Sequence, residues 1–289
     1  MDPEPTLVEH QVEVGTVVLN YAEGADNGTP LLLLHGGSAR WQWWGPVIGP
    51  LVVRAHVFAL DLRGHGGSSW TSGAYKLVGF AADVEAFIHD VIGQPAIVLG
   101  HSLGGEIALI AASERPDLTR AVIDEDGPPY ADVARRMSAR NRAVLEAMRA
   151  LAGSTLPEDE LERRVGSLPV TVAGTPGRFG ESVGWDRGAI ASVAAALRAN
   201  DPTMIDAVLA SEAMHAGFDD RLLARITSPV VILQADPALG GLPDDAVDHA
   251  LKVMPDARRL RFDGLGHSIH LDDPERFLAA VTPLLEAFG

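Results

Sequence analysis

Apolar and polar residues alternate from Val8 to Glu23 around Gly15 (Val12 and Val14, then Val17, Val18, Leu19 and Tyr21). A period of two over that length predicts an antiparallel hairpin. From Leu31 onward the pattern changes to short continuous apolar runs, each closed by Gly, Asp or His: Leu31–Leu34, Val57–Leu60, Ala96–Leu99, Ala121–Ile123, Val230–Leu233 and Arg259–Phe262. Such runs suit strands of a parallel sheet buried on both faces. Helical spacing fills the gaps. Phe80–Val91 places Val84, Phe87, Ile88 and Val91 on one face, and Gly105–Ser113 does the same with Ile107, Ala108 and Ala111. Asp273-Pro274, a capping side chain followed by a first-turn proline, starts the last helix. The order predicts an open α/β sheet with an antiparallel leading edge and helices on both faces.

Between Gly127 and Ile226 the alternation stops. Ala131–Leu151, Glu158–Val165, Ala189–Ala199 and Thr203–His215 carry helical spacing, separated by Gly153, Pro169, Gly174-Thr175-Pro176-Gly177 and Pro202, and no strand is predicted among them. The expected organisation is a core of residues 1–126 and 227–289 with a helical cap, or lid, of residues 127–226.

Composition narrows the function classes. Of 289 residues 39 are acidic and 23 basic, a net charge of −16 that repels phosphate backbones and anionic headgroups, so neither a nucleic-acid nor a membrane-surface partner is expected. At 47% hydrophobic and 21% charged the chain can bury a sizeable core. With no cysteine it has no disulfide framework, thiolate zinc site or cysteine nucleophile. Met1-Asp2-Pro3-Glu4-Pro5 lacks the basic and apolar regions of a signal peptide, and the apolar runs fall far short of the ~18 residues of a membrane span, so a cytoplasmic protein is expected.

The residues that carry chemistry are Gly100-His101-Ser102-Leu103-Gly104-Gly105, between an apolar run and a predicted helix. A serine on such a strand-to-helix turn takes a strained backbone conformation, and side chains two positions to either side would clash, which explains glycine at 100 and 104. The hydroxyl then stands at a helix N-terminus, where backbone N–H groups favour a developing oxyanion. Ser102 is the candidate nucleophile.

With these residues in view the chain resembles the α/β-hydrolase superfamily along nearly its whole length. Leu31–Leu34 followed by His35-Gly36-Gly37-Ser38 is similar to the family's third strand and oxyanion turn. Asp61-Leu62-Arg63-Gly64-His65-Gly66-Gly67-Ser68 matches the turn after its fourth strand, and Asp263-Gly264-Leu265-Gly266-His267 its C-terminal histidine loop. The resemblance implies a mostly parallel eight-stranded sheet with helices on both faces and a cap inserted after the sixth strand. It also implies His267 as general base. Of its neighbours, His270 is expected to pack or to face the pocket, and His35, His65 and His101 to serve packing and backbone hydrogen bonding.

The acid that orients the base has three candidates. Similar hydrolases usually carry it at the third residue beyond the strand that here reads Val230–Ala235, which is Ala238, so Asp236 comes two positions early. Others, including lactone hydrolases acting on zearalenone, place it at the end of the sixth strand, here Asp124-Glu125-Asp126. Asp126 is preferred, with Asp236 and Glu125 as alternatives. The backbone N–H groups of Leu103 and Gly37 are the expected oxyanion donors, with Ser38 as second choice to Gly37. Gly36, Ser38, Trp43, His101, Tyr130 and Trp185 are candidate pocket residues.

The resemblance implies a serine hydrolase, an esterase or lactonase, that cleaves a small-molecule carboxylic ester or lactone through an acyl-enzyme on Ser102. A lactone-specific hydrolase of a ring substrate and a ligand-sensing protein with slow turnover are the rival readings. Family members that attack sp³ carbon use aspartate where this chain has Ser102, which disfavours dehalogenase and epoxide chemistry. No cofactor or metal is expected. H-E-x-x-H and P-loop motifs are missing, and Gly64-His65-Gly66-Gly67-Ser68-Ser69 fails G-x-G-x-x-G at its last position.

Overall fold

The computed structural model describes residues 7–172, 175–181 and 187–289. The chain opens with β1 (Val8–Val14), β2 (Val17–Glu23), β3 (Pro30–Leu34), α1 (Gly45–Val52), β4 (His56–Leu60) and α2 (Leu77–Phe87). Next come β5 (Ala96–His101), α3 (Leu103–Glu114) and β6 (Thr119–Glu125). The intervening segment holds α4 (Ala131–Arg140), α5 (Arg142–Arg149), α6 (Glu158–Gly166), β7 (Pro169–Val172), β8 (Thr175–Arg178), α7 (Arg187–Arg198), α8 (Pro202–Ala210) and α9 (Asp220–Leu223). The chain closes with β9 (Val230–Ala235), α10 (Asp244–Val253), β10 (Ala257–Phe262), α11 (Ile269–Asp272) and α12 (Pro274–Phe288). Among the described residues no helix is long and apolar enough to cross a membrane.

Eight strands form one sheet in the order β1-β2-β4-β3-β5-β6-β9-β10. β2 runs antiparallel to both β1 and β4, and all other pairs are parallel. The continuous apolar runs have a direct cause in the pleat, because successive residues enter different cores. Leu32, Leu34, Val98, Val122 and Ile232 join the cluster that includes α2 and α3 residues. Leu31, Leu33, Ile97, Leu99, Ile123, Val231 and Leu233 join the cluster with α1 and α12. Each such side chain, fully buried, contributes about 1.5–3 kcal/mol relative to exposure, which makes slippage of a central strand prohibitive.

The segment between β6 and β9 departs from expectation in three places. β7 and β8 pair antiparallel as a separate two-stranded ribbon where no strand is predicted. Four-residue strands are too short to show a period, although the β-branched run Val170-Thr171-Val172 suits extended backbone. The helix expected over Ala131–Leu151 is two helices, broken at Asn141 (φ −96°, ψ 10°). α8 stops at Ala210, short of His215, because Ser211 takes φ +52°. Its start is as the sequence suggests: the Asp201 carboxylate accepts from the Thr203 amide ahead of a first-turn proline. That carboxylate also accepts from Ser72 Oγ at 2.6 Å and Tyr75 Oη at 2.8 Å, which ties α8 to the loop after β4.

Candidate active site

Ser102 is the residue between β5 and α3, with φ +53° and ψ −115°. A non-glycine residue there stores about 1–3 kcal/mol of backbone strain, tolerated because the surroundings leave no alternative. The Ser102 amide donates to the Glu125 carbonyl at 2.9 Å, which ties the turn to β6. A Cβ at Gly100 would overlap the Gly104 carbonyl, and one at Gly104 would overlap the Leu34 carbonyl of β3. Both obstacles are backbone of the central elements and cannot move aside. Gly104→Ala is therefore expected to destabilise the protein by at least about 3 kcal/mol, seen as a lower urea midpoint. Gly37→Ala should fold normally, since its Cβ would meet only Met204 and Leu103 methyl groups at 3.6 and 3.9 Å.

Three consecutive carboxylates, Asp124 and Glu125 at the end of β6 and Asp126 just after it, are all fully buried and meet different partners. Asp124 accepts from the Gly127 amide at 2.9 Å, and burial pushes its carboxyl well above the usual range. Glu125 accepts from Nδ1 of His270 at 2.8 Å and from the His270 amide at 2.9 Å. Asp126, at φ +54°, takes three bonds: Oδ1 accepts from the Ala235 and Leu242 amides at 3.0 and 3.1 Å, and Oδ2 lies 2.7 Å from Nδ1 of His267. A carboxylate can only accept, so His267 Nδ1 carries a proton and its Nε2 is free of one in the neutral ring. Burial alone would lower the His267 pKa, but the Asp126 hydrogen bond and charge raise it above the ordinary value.

Asp236 is occupied elsewhere. Its carboxylate accepts from the Ala238 and Gly264 amides, both at 2.9 Å, and these bonds hold its pKa low. It braces the loop that carries His267. The side chains of Asp236 and Glu125, the two alternatives to Asp126, are thus bonded to partners other than His267.

His35, His65 and His101 act as braces. His35 Nε2 accepts from the Leu62 amide and Nδ1 donates to the Gly36 carbonyl; His65 Nε2 accepts from the Ser38 amide and Nδ1 donates to the Arg63 carbonyl. Burial lowers their pKa values to about 4 and about 3, so both rings are neutral. The Ser38 amide, second choice to Gly37 as an oxyanion donor, is thus engaged by His65 at 3.2 Å. His101 Nε2 donates to the His267 carbonyl at 3.1 Å and links the base loop to β5.

Ser102, His267, Gly37 and Leu103 line one cavity of about 240 Å³. Among the expected pocket residues Ser38 also lines it, whereas Gly36, Trp43, His101 and Tyr130 lie outside its lining. The reasons are local. A Cβ on Gly36 would lie 2.7 Å from His101 Nδ1, so these two pack against each other behind the serine. The Trp43 ring faces His270 at 6.3 Å, and the buried Tyr130 ring faces His249 at 5.4 Å. Trp185 lies outside the described residues. The wall is built from α4, α5 and α8, with Met137, Val144, Met148 and Val208, and from Glu106 and His215. Sequence reasoning missed those last two. Glu106 had a usable signal, because a residue four positions after a helix-capping nucleophile shares its face of the helix; His215 had none.

The sequence model of the alpha/beta hydrolase family matches residues 31–280. The chain is 27% identical to a 2-(acetamidomethylene)succinate hydrolase of Mesorhizobium japonicum, over 97% of this chain and 96% of the relative. It is 31% identical to a soluble epoxide hydrolase of a Corynebacterium species, over 43% of each chain. In three dimensions it is similar to the crystal structure of E-2-(acetamidomethylene)succinate hydrolase, with a TM-score of 0.77 over 97% of this chain and all of that one at 22% identity. A nucleophile-type turn at the C-terminal edge of an eight-stranded, mostly parallel sheet and a family match across most of the sequence lead to one conclusion: the chain belongs to the α/β-hydrolase family.

Proposed function

We propose that the protein is a serine acyl hydrolase that cleaves an uncharged carboxylic ester or lactone through an acyl-enzyme. The observation that carries the reading is the 2.7 Å contact between His267 Nδ1 and the buried Asp126 carboxylate, in a histidine that shares a cavity with Ser102. In that arrangement Nε2 takes the Ser102 proton as Oγ attacks the carbonyl carbon, and Asp126 stabilises the imidazolium. The amides of Gly37 and Leu103 receive the oxyanion, and His267 returns the proton to the leaving alkoxide. Water, deprotonated by the same histidine, then releases the acid and restores Ser102. The described helices α4, α5 and α8, which line the cavity, serve as its lid.

An amide is the second reading, favoured by the relative whose name specifies an acetamidomethylene succinate. That substrate carries two carboxylates, whereas the described cavity wall contains Glu106 and no Lys or Arg. His215, in the same wall, balances the Glu106 charge, so the wall offers a dianion no unpaired cation and an uncharged acyl group suits it better. The test pairs stoichiometric fluorophosphonate labelling, mapped by mass, with a panel of p-nitrophenyl esters, lactones and N-acyl enamines. A single adduct on Ser102 and faster turnover of p-nitrophenyl butanoate than of the p-nitrophenyl monoester of succinate are expected. Faster turnover of the succinate ester, or of the enamide dicarboxylate, would overturn the ester reading.

The acid limb of kcat/KM follows from the raised His267 pKa. The base works only when neutral, so activity falls as pH drops through that pKa, with a midpoint above the ordinary histidine value of about 6.5. A midpoint below it would contradict the Asp126 pairing.

A further inference from the structure

Glu106 and His215 form a buried ion pair in the cavity wall, with Nε2 of His215 3.1 Å from Oε1 of Glu106. Their side chains are 5% and 4% exposed, and they come from different elements: Glu106 from the first turn of α3, His215 from the segment after α8. The cavity wall around them is largely aliphatic and thioether, including Val144, Leu145, Met148 and Ile205. A pair whose only task was to hold two elements together would be replaced at no loss by apolar side chains, because desolvating two ions offsets their attraction.

The proton inventory shows what the pair can offer. His215 Nδ1 lies 2.7 Å from the Ser211 carbonyl, which can only accept, so Nδ1 carries a proton. At 3.1 Å, Nε2 and Oε1 of Glu106 are close enough to share one further proton, as imidazolium with carboxylate or imidazole with carboxylic acid. Burial raises the Glu106 carboxyl while His215 opposes it; burial lowers His215, but Glu106 raises it further. In either form His215 has no N–H to spare, and Glu106 keeps lone pairs for another donor.

Ser102 precedes the first residue of α3, so Glu106 lies about 6 Å along the helix from it, and helical side chains lean back toward the N-terminus. In an acyl-enzyme the acyl part is the part whose position is fixed relative to Ser102. We infer that Glu106, held by His215, is a specificity-determining residue that accepts a hydrogen bond from a hydroxyl or N–H group on the β-carbon of an uncharged acyl group. The inference rests on the acyl-hydrolase reading above.

The test compares each enantiomer of p-nitrophenyl 3-hydroxybutanoate with p-nitrophenyl 3-methylbutanoate, which differ by hydroxyl against methyl. For one enantiomer the native enzyme is expected to show at least a tenfold higher kcat/KM, mainly through KM, the scale of one buried hydrogen bond. Glu106→Met should abolish that ratio and Glu106→Gln, which keeps an acceptor oxygen, should retain part of it. A native ratio near one overturns the inference without any variant, and so does a ratio that survives Glu106→Met. Fluorophosphonate labelling of Ser102 separates the two levels: labelling without a hydroxyl preference removes the Glu106 role alone, whereas no labelling removes the acyl-hydrolase reading beneath it.

Discussion

Ser102→Ala is expected to lower kcat by about 10⁶-fold while leaving the urea midpoint close to that of the native protein. The size follows from the chemistry assigned to the hydroxyl. Without Oγ there is no acyl-enzyme, and only the oxyanion donors and substrate binding remain to accelerate attack by water. The fold should survive because the turn is held by backbone and glycine. The residue 102 amide still donates to the Glu125 carbonyl, and Gly100 and Gly104 still give the helix its close approach to β3. Loss of the fluorophosphonate adduct should accompany the loss of rate. Turnover within tenfold of native would show that another group performs the attack.

Asp126→Asn is expected to cost about 10⁴-fold in kcat, again with the fold preserved. The two oxygens of Asp126 have separate tasks. Oδ1 accepts from the Ala235 and Leu242 amides, which an asparagine oxygen can also do. The amide nitrogen would then face His267 Nδ1 in place of Oδ2, a donor where an acceptor had been. The ring would answer by moving its proton to Nε2, the tautomer that cannot accept a proton from Ser102. Asp236→Asn should change kcat less than tenfold, because that carboxylate bonds to loop amides. The opposite ranking of these two variants, with both proteins folded, would assign the orienting acid to Asp236.

The inner strands of the main sheet were legible because they are both-face-buried segments, and that condition leaves a signal within four residues. Leu31–Leu34 shows it most clearly, with all four side chains at 0% exposure and entering alternate cores. The turn at Ser102 was equally legible, since a close approach of two backbones demands glycine at fixed offsets. The hairpin of β7 and β8 was not, because its pairing joins residues whose individual segments are too short to carry a period. The early end of α8 was hidden for a related reason. Apolar spacing continues past Ala210, and the positive φ of Ser211 is a conformation that no residue type there announces.

For this protein the sequence by itself determined the sheet, the family resemblance, the candidate nucleophile and the candidate base, all of which depend on spacing within a dozen residues. Only the tertiary structure separated the three carboxylates at the end of β6 and just beyond it, since their difference is a matter of partners. Asp124 meets the Gly127 amide, Glu125 meets His270, and Asp126 meets His267, 141 positions along the chain. The same holds for the cavity. Its wall brings Glu106 against His215, more than a hundred residues apart, and leaves Trp43 and Tyr130 facing other rings. Local composition states which side chains can do chemistry, and the packing of distant segments states which of them share a proton.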